Sequence, residues 1–369
     1  MANDMSNELV VAPSEIENEL TRIWDSLQGT NKMRACLFNL IIVSEKNRRE
    51  EYLKQVAQKV IEKFPSRIIF VEYDPQDPNE KLQTSVSVLT ANEGECSIVC
   101  DLIRIEVSRS KKDRIPFLIL PHILPDLPVY LVQGDDPTNE DPIDLELEHI
   151  SSRIIFDSEI TENLPQFAKT LLNHHLDNDA GIADLNWARL ENWRTLLAAT
   201  FHTPEKLQLL LRANSLTIHY NCYETESFCH NKTQAIYLAT WLSNQLEWKY
   251  EKCSRTGDEI SFSFSNEQGS IAIHLKPVTV KELPPGRIIN IELSTPDQEK
   301  CTLVRNPEKP HEVQSECSTQ LLCEMPTHTL MERETSGLSL VREICHNGTS
   351  EHFLQTLQAI STQNPEDLK

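Results

Sequence analysis

Glycine is scarce in this 369-residue chain, nine residues in all, and that scarcity removes the usual phosphate cradles. No GxGxxG follows a strand-like run, and no GxxxxGK, GxSxG or HExxH string occurs. Dinucleotide-fingerprint, P-loop, nucleophile-elbow and zincin chemistry therefore lack their customary residues. Paired cysteines are missing as well. Ten cysteines are present without a CxxC; Cys96 and Cys100 are four apart, Cys222 and Cys229 seven, Cys317 and Cys323 six. In a reducing compartment such scattered thiols are expected to be small buried hydrophobes. Cys222, Cys229 and His230 form the best metal candidate, yet no second pair matches them.

No block of clustered basic residues offsets the acidic excess. Lys plus Arg number 35 against 56 Asp plus Glu, a formal charge of −21, and such a field repels phosphate backbones and anionic membranes. Neither nucleic acid nor membrane is an expected partner. The most apolar stretch, "IPFLILPHILPDLPVYLV", is interrupted by Pro121, Pro125, Pro128 and Asp126, which argues against a spanning helix. The opening "MANDMSNELVV" has no basic region followed by an apolar one, so the expected location is the cytoplasm; with the motifs above missing, the expected metal, cofactor and catalytic inventory is none.

The composition is that of a folded chain, 39% hydrophobic and 25% charged. Residues 1–30 read as a helical lead-in, with Ile16, Leu20, Trp24 and Leu27 at helical spacing behind a possible N-cap, Ser14. Residues 31–202 read as a three-layer α/β domain with a mixed, mostly parallel sheet. "ACLFNLIIVSE" and "SRIIFVEYD" are strand-like and flank the amphipathic "NRREEYLKQVAQKVIEKF", the order of a parallel crossover. "LQTSVSVLT" and "SIVCDLIRIEVS", joined by "ANEGEC", suit an antiparallel hairpin. "PVYLVQ" and "SRIIFDS" supply further strands. Residues 203–369 read as an α+β domain in which the long helix "NKTQAIYLATWLSNQLEW" lies on a strand meander.

Three polar groupings invite chemistry. The acidic run "QGDDPTNEDPIDLELE" fits no calcium loop and is expected to be a solvated connector. Asp126 sits among four prolines, Pro116 to Pro128, on entry to a strand, where it is expected at a sheet edge, either capping a rigid turn or offering a contact surface. The third grouping is "ADLNWARLENWRTLLAATF", residues 183–201. Read as one helix capped by Asp184, it has Leu190, Trp193, Leu197 and Phe201 on a core stripe. Trp187 flanks that stripe, Arg189 is placed to stack on Trp193, and Asn186 and Arg194 lie at the edge. Tryptophan with arginine is either ordinary core furniture or the commonest anchor of a protein interface.

The string D-L-N-W-x-R-L-x-x-W-R, with "LPDLPVYLV" and "SRIIFDS" before it and "AIYLATWLSNQLEW" after it, resembles the OpcA family over about Ala35 to Lys276. That resemblance implies an accessory protein that binds glucose-6-phosphate dehydrogenase, favours its active oligomer and has no catalytic activity of its own. The residues expected to form or brace the docking surface are Asp126, Arg153, Asp157, Asp184, Asn186, Trp187, Arg189, Trp193 and Arg194. Two other readings stay open. Arg153, Asp157, Asn186 and Arg194 could converge at the strand ends on a sugar phosphate or nucleotide, and Cys96 with Cys100, or Cys222 with Cys229, could act as a redox switch.

Overall fold

A computed structural model gives the architecture of the chain and describes residues 8–46, 49–90, 97–138, 145–177, 179–225, 228, 230–318, 325–332, 337–346 and 348–368. The chain divides into two compact units, neither continuous in sequence. The first comprises residues 1–157, 173–185 and 335–349, the second 158–172, 186–334 and 350–369.

The first unit opens with β1 (Leu9–Val11), α1 (Ile16–Ser26) and β2 (Lys32–Arg34). It continues through β3 (Asn39–Glu45), α2 (Glu50–Lys63), β4 (Arg67–Asp74), β5 (Leu82–Thr90) and β6 (Ser97–Ser108). After these come α3 (Ile115–Ile119), β7 (Val129–Gln133), α4 (Leu145–Ile150), β8 (Arg153–Phe156), the end of α5 (Leu164–Asp177) and β9 (Gly181–Asp184). The nine-stranded sheet runs β1-β5-β6-β4-β3-β7-β8-β9, with β2 paired to β6. Within the run β6-β4-β3-β7-β8-β9 every adjacent pair is parallel. From β3 the chain winds first one way, to β4 and β6, and then the other, to β7, β8 and β9, so the sheet is doubly wound.

Burial on both faces explains the continuous apolar runs, since Leu40 to Val43 and Ile68 to Val71 are all enclosed. Helix α2 covers one face with Leu53, Val56, Ala57, Val60 and Ile61. Each of the buried leucine, valine and isoleucine side chains contributes about 1.5–3 kcal/mol. The expected hairpin is β5 and β6; its "ANEGEC" connection lies outside the described residues.

The lead-in helix is fastened by one buried cation. Arg67, at the start of β4, donates to Asp101 at 2.8 and 3.0 Å, to Glu17 of α1 at 2.8 Å and to the His122 carbonyl at 2.8 Å. Trp24 Nε1 and Arg34 converge on the same Asp101 at 2.8 and 2.6 Å. Helix α1 thus joins the unit through charge as well as through Ile16 and Leu20, both buried.

The second unit holds α6 (Leu185–Arg189), α7 (Glu191–Thr200), α8 (Pro204–Leu211), β10 (Ser215–Asn221), α9 (Thr233–Gln245), β11 (Lys249–Thr256), β12 (Glu259–Asn266), β13 (Gly269–Val278), β14 (Ile288–Ser294), β15 (Lys300–Arg305), β16 (Glu312–Ser318) and β17 (Thr327–Leu330). The helix that follows, α10 (Leu338–Cys345), belongs to the first unit, where it packs on α2; α11 (Glu351–Ser361) and α12 (Pro365–Leu368) return to the second. Its eight-stranded sheet runs β11-β12-β13-β10-β14-β15-β16-β17. The expected meander is interrupted, because β10 inserts between β13, to which it is parallel, and β14. Helix α9, buried along most of its length, packs on β10, β13 and α11. Cys301 and Cys317, facing each other across β15 and β16, form a disulfide, which corrects the expectation of isolated thiols.

Replacing Arg67 by Met leaves Asp101 buried with only part of its partnership. The expected loss is about 3 kcal/mol of unfolding free energy, read from urea titration. A loss below about 1 kcal/mol would show that Trp24 and Arg34 suffice to hold the carboxylate.

Candidate functional site

Reversal of strand order in the first unit opens a crevice at the carboxyl ends of β3 and β7, where doubly wound sheets take dinucleotides. The residues there do not fit one. The loop after β3 reads "EKNRR", without the glycines that let a backbone approach pyrophosphate. Gly134, just beyond β7, serves strand packing instead, because a Cβ there would lie 2.8 Å from the Val43 carbonyl and 2.9 Å from Ser44 Cβ. Helix α2 begins with Glu50 and Glu51, which oppose an anion at a helix N-terminus. Asp74, at the end of β4, accepts from the amides of Gln76 and Asp77 at 3.0 and 3.1 Å and is committed to its own turn.

An ion pair closes the crevice from within. Arg49, just ahead of α2, donates to Asp157 beyond β8 at 2.5 Å, with both side chains buried, and its guanidinium lies 5.1 Å from the Tyr52 ring. Beside them Asp135 accepts from the Glu45 amide at 2.7 Å, while its second oxygen is buried without a hydrogen-bond partner among the described residues. Burial pushes the Asp135 carboxyl up to about 7. The acidic run is therefore not wholly a solvated connector, since Asp135 is drawn in and Glu148 is buried against His174 at 2.9 Å. Residues 139–144 of that run lie outside the described residues.

The tryptophan segment departs from a single capped helix. Ala183 and Asp184 belong to β9, where Asp184 is fully buried opposite Phe156. A four-residue strand is too short to interrupt a helical reading of the sequence. The chain then forms α6, tightens where the Leu190 amide bonds the Trp187 carbonyl at 3.1 Å, and restarts as α7. The core stripe Leu190, Trp193, Leu197 and Phe201 is buried as expected.

Four of the nine candidate residues meet within the second unit. Arg189 donates to Asn186 Oδ1 at 2.7 Å, and Asn186 in turn donates to Ser158 at 3.1 Å. Arg194 lies 3.7 Å over the Trp187 ring and donates to the Trp187 carbonyl at 2.7 Å. The stacking expectation thus exchanges partners, because Arg189 lies over Phe228 at 5.6 Å and Trp193 receives Arg305 at 5.5 Å. Trp187 also packs against Phe353, with ring centroids 5.4 Å apart. Glu159 accepts from the His230 amide at 2.9 Å and from Asn186 at 3.4 Å.

The remaining candidates do not form a polar cluster. Arg153 starts β8 and Asp157 follows its end, so they occupy opposite ends of one strand. Arg153 bonds Glu343 at 2.5 Å and the carbonyls of His346 and Gly348. Asp126 is exposed at φ 65° in the turn before β7, an interior strand rather than a sheet edge. Seven of the nine, all but Asp126 and Arg194, are buried, and a buried side chain can brace a contact surface but does not touch a partner. Arg49, Glu159, Arg305, Glu343 and Phe353 were missed because each meets its partner from far along the chain, and no spacing announces it.

The thiol readings fall partly outside the described residues. Cys96 and Cys229 lie outside the described residues, and Cys100 is buried with its thiol pushed up to about 11. No group of three His, Cys, Asp or Glu poised for a metal occurs among the described residues. Among them, too, no helix is long and apolar enough to cross a membrane.

Comparison with known proteins matches residues 57–172 to the family described as glucose-6-phosphate dehydrogenase subunit N-terminal domain and residues 180–357 to the corresponding C-terminal domain. Two curated relatives carry the provisional name OxPP cycle protein OpcA. That of Nostoc punctiforme is 25% identical over 322 residues, 85% of this chain and 62% of the relative. That of Synechococcus elongatus is 27% identical over 216 residues, 56% of this chain and 46% of the relative. The chain thus spans about half to three fifths of the length of these relatives. Among solved structures, the transcriptional regulator Gal80p of Kluyveromyces lactis aligns with a TM-score of 0.51 at 9% identity over 92% of this chain and 95% of that one. Levoglucosan dehydrogenase in its apo form aligns with a TM-score of 0.49 at 10% identity, over 88% and 95%. At such identity the Gal80p likeness shows the fold alone.

Asp135 makes stability depend on pH in a definite direction. Its folded value, about 7, lies above the ordinary 3.8, so its contribution is complete below about pH 4 and is lost as the pH rises toward 7. The stability difference, native chain minus Asp135→Asn, should fall across that interval by no more than about 1.4 kcal/mol per pH unit. A difference that stays flat would place the carboxyl in water.

Proposed function

The chain belongs to the OpcA family of glucose-6-phosphate dehydrogenase subunits, and from that premise we propose that it is a non-catalytic accessory protein. It binds glucose-6-phosphate dehydrogenase in the cytoplasm, promotes the active oligomer and thereby tunes flux into the oxidative pentose phosphate route. The observation that carries the reading is the match of both family domains, in order, across residues 57–172 and 180–357. The crevice supports it from the other direction, because carboxylates and an internal ion pair stand where a dinucleotide-using enzyme needs glycines and free amides.

An activator shifts its partner only by binding the competent oligomer more tightly than the incompetent one. Arg194 and Asp126 are the candidates with accessible side chains, and they are the proposed points of contact. Trp187 holds the Arg194 guanidinium on its ring and carbonyl, and Asn186, Arg189 and Trp193 fix the same segment by their own contacts. Arg194 suits an anchor because its guanidinium is already ordered on Trp187, so little freedom is lost when a partner carboxylate arrives.

The test mixes the purified chain with the glucose-6-phosphate dehydrogenase of the same organism and follows oligomer mass together with glucose 6-phosphate saturation. Both should change with added chain. Arg194→Ala should weaken the complex by about 2 kcal/mol, roughly thirtyfold, at unchanged fold. If neither mass nor saturation responds at any concentration, the accessory role is wrong; if Arg194→Ala binds as tightly as the native chain, the anchor lies elsewhere.

A further inference from the structure

The second unit carries a surface that the tryptophan segment does not use. One side of its eight-stranded sheet is apolar and buried toward α9, through residues such as Leu216, Ile218, Phe262, Ile273 and Leu293. On the other side the ladder registers align alternate residues into rows that cross the sheet. One row reads Ser261, His274, Thr217, Glu292, Thr302, Glu316. The row beside it places Ser263, Ala272, Ser215 and Ser294 at its centre. These side chains are half-buried or exposed, and they are small or polar.

Charge on this face is divided by strand. The β11 to β13 half carries Lys249, Lys252 and Lys276, with Glu259 alone opposing them, 3.8 Å from Lys276; Glu251, at the β11 bulge, has no partner in the register. The β14 to β16 half carries Glu292, Glu312 and Glu316 against Lys300 and Lys309, the latter 3.7 Å from Glu312, which also meets His328 at 2.6 Å. In a chain of net charge −21, a basic half-face needs an acidic complement, and the other half of the same sheet offers one.

We propose that this face is the contact between two copies of the chain, related by a two-fold axis parallel to the strands. That operation lays the lysine half of each copy over the glutamate half of the other, so the complementary contact is made twice, as an isologous interface requires. The serine and alanine centre lets the sheets approach to about 10 Å. With a third row, Lys276, His219, Asn290, Val304, Gln314 and His328, the face covers roughly 700 Å² per copy, close to the ~800 Å² that each partner of a stable standard-sized interface contributes. The inference concerns the chain by itself and does not depend on the dehydrogenase, so its failure and that of the accessory role are read in separate experiments.

The test is sedimentation equilibrium of the purified chain without dehydrogenase, at low and high salt. The native chain should dimerise, and less tightly as salt rises. Two reversals, Lys252→Glu with Lys276→Glu and Glu292→Lys with Glu316→Lys, should each weaken self-association about tenfold or more while circular dichroism and melting temperature stay native. Mixed in equal amounts, the two variants should pair with each other, because one presents mainly acid, keeping Lys249 and Lys300, and the other mainly base, keeping Glu259 and Glu312. A native chain that is monomeric at every concentration overturns the proposal, as does a dimer indifferent to both reversals, or folded variants that fail to pair on mixing. A monomeric chain whose reversals abolish dehydrogenase binding would assign the face to that partner instead.

Discussion

The ion pair between Arg49 and Asp157 decides what the first unit is able to be. In a doubly wound sheet the crevice where strand order reverses is the natural seat for a dinucleotide, and here it is spanned by two oppositely charged side chains, both buried. Withdrawing them from water costs several kcal/mol per ion, which only their mutual attraction and surrounding bonds offset. A ligand that broke the pair would have to repay that cost and then face Glu50, Asp135 and Asp157 as neighbours. The scaffold keeps its winding, and the side chains at its crevice do not fit the usual cargo.

The same economy governs the tryptophan segment. Trp187 and Trp193 are spent on packing, each with a guanidinium beside its ring, and Asn186 is spent on Arg189 and Ser158. Such a network fixes a backbone more than it advertises chemistry. A surface supported this way is presented nearly pre-ordered, and a partner then loses little free energy in ordering it.

Much of the fold was legible in the sequence because its strongest signals are local. The unbroken apolar runs at Leu40 and Ile68, the α2 stripe and the β5–β6 hairpin follow from periodicity and turn chemistry. Strands β2 and β9 did not, being three and four residues long, and the insertion of β10 between β13 and β14 is a property of pairing that no single segment encodes. The candidate residues were located by type more successfully than by role. Tryptophan beside arginine pointed to a segment where guanidinia do stack on rings, but which arginine met which ring depended on the break at Leu190 and on Phe228 and Arg305, remote in sequence. Arg153 and Asp157 were read as neighbours because they are close along the chain, yet an extended strand of four residues holds them apart.

The late return of residues 335–349 to the first unit bears on the order of events during synthesis. Arg153 finds Glu343 some 190 residues later, so the ribosome must deliver that intervening stretch before the sheet of the first unit has all its parts. Until then Arg153 waits without its carboxylate and α2 without the helix that packs on it. A nascent chain in that condition displays apolar surface for the many seconds that translation takes, a long exposure on the scale at which chaperones act.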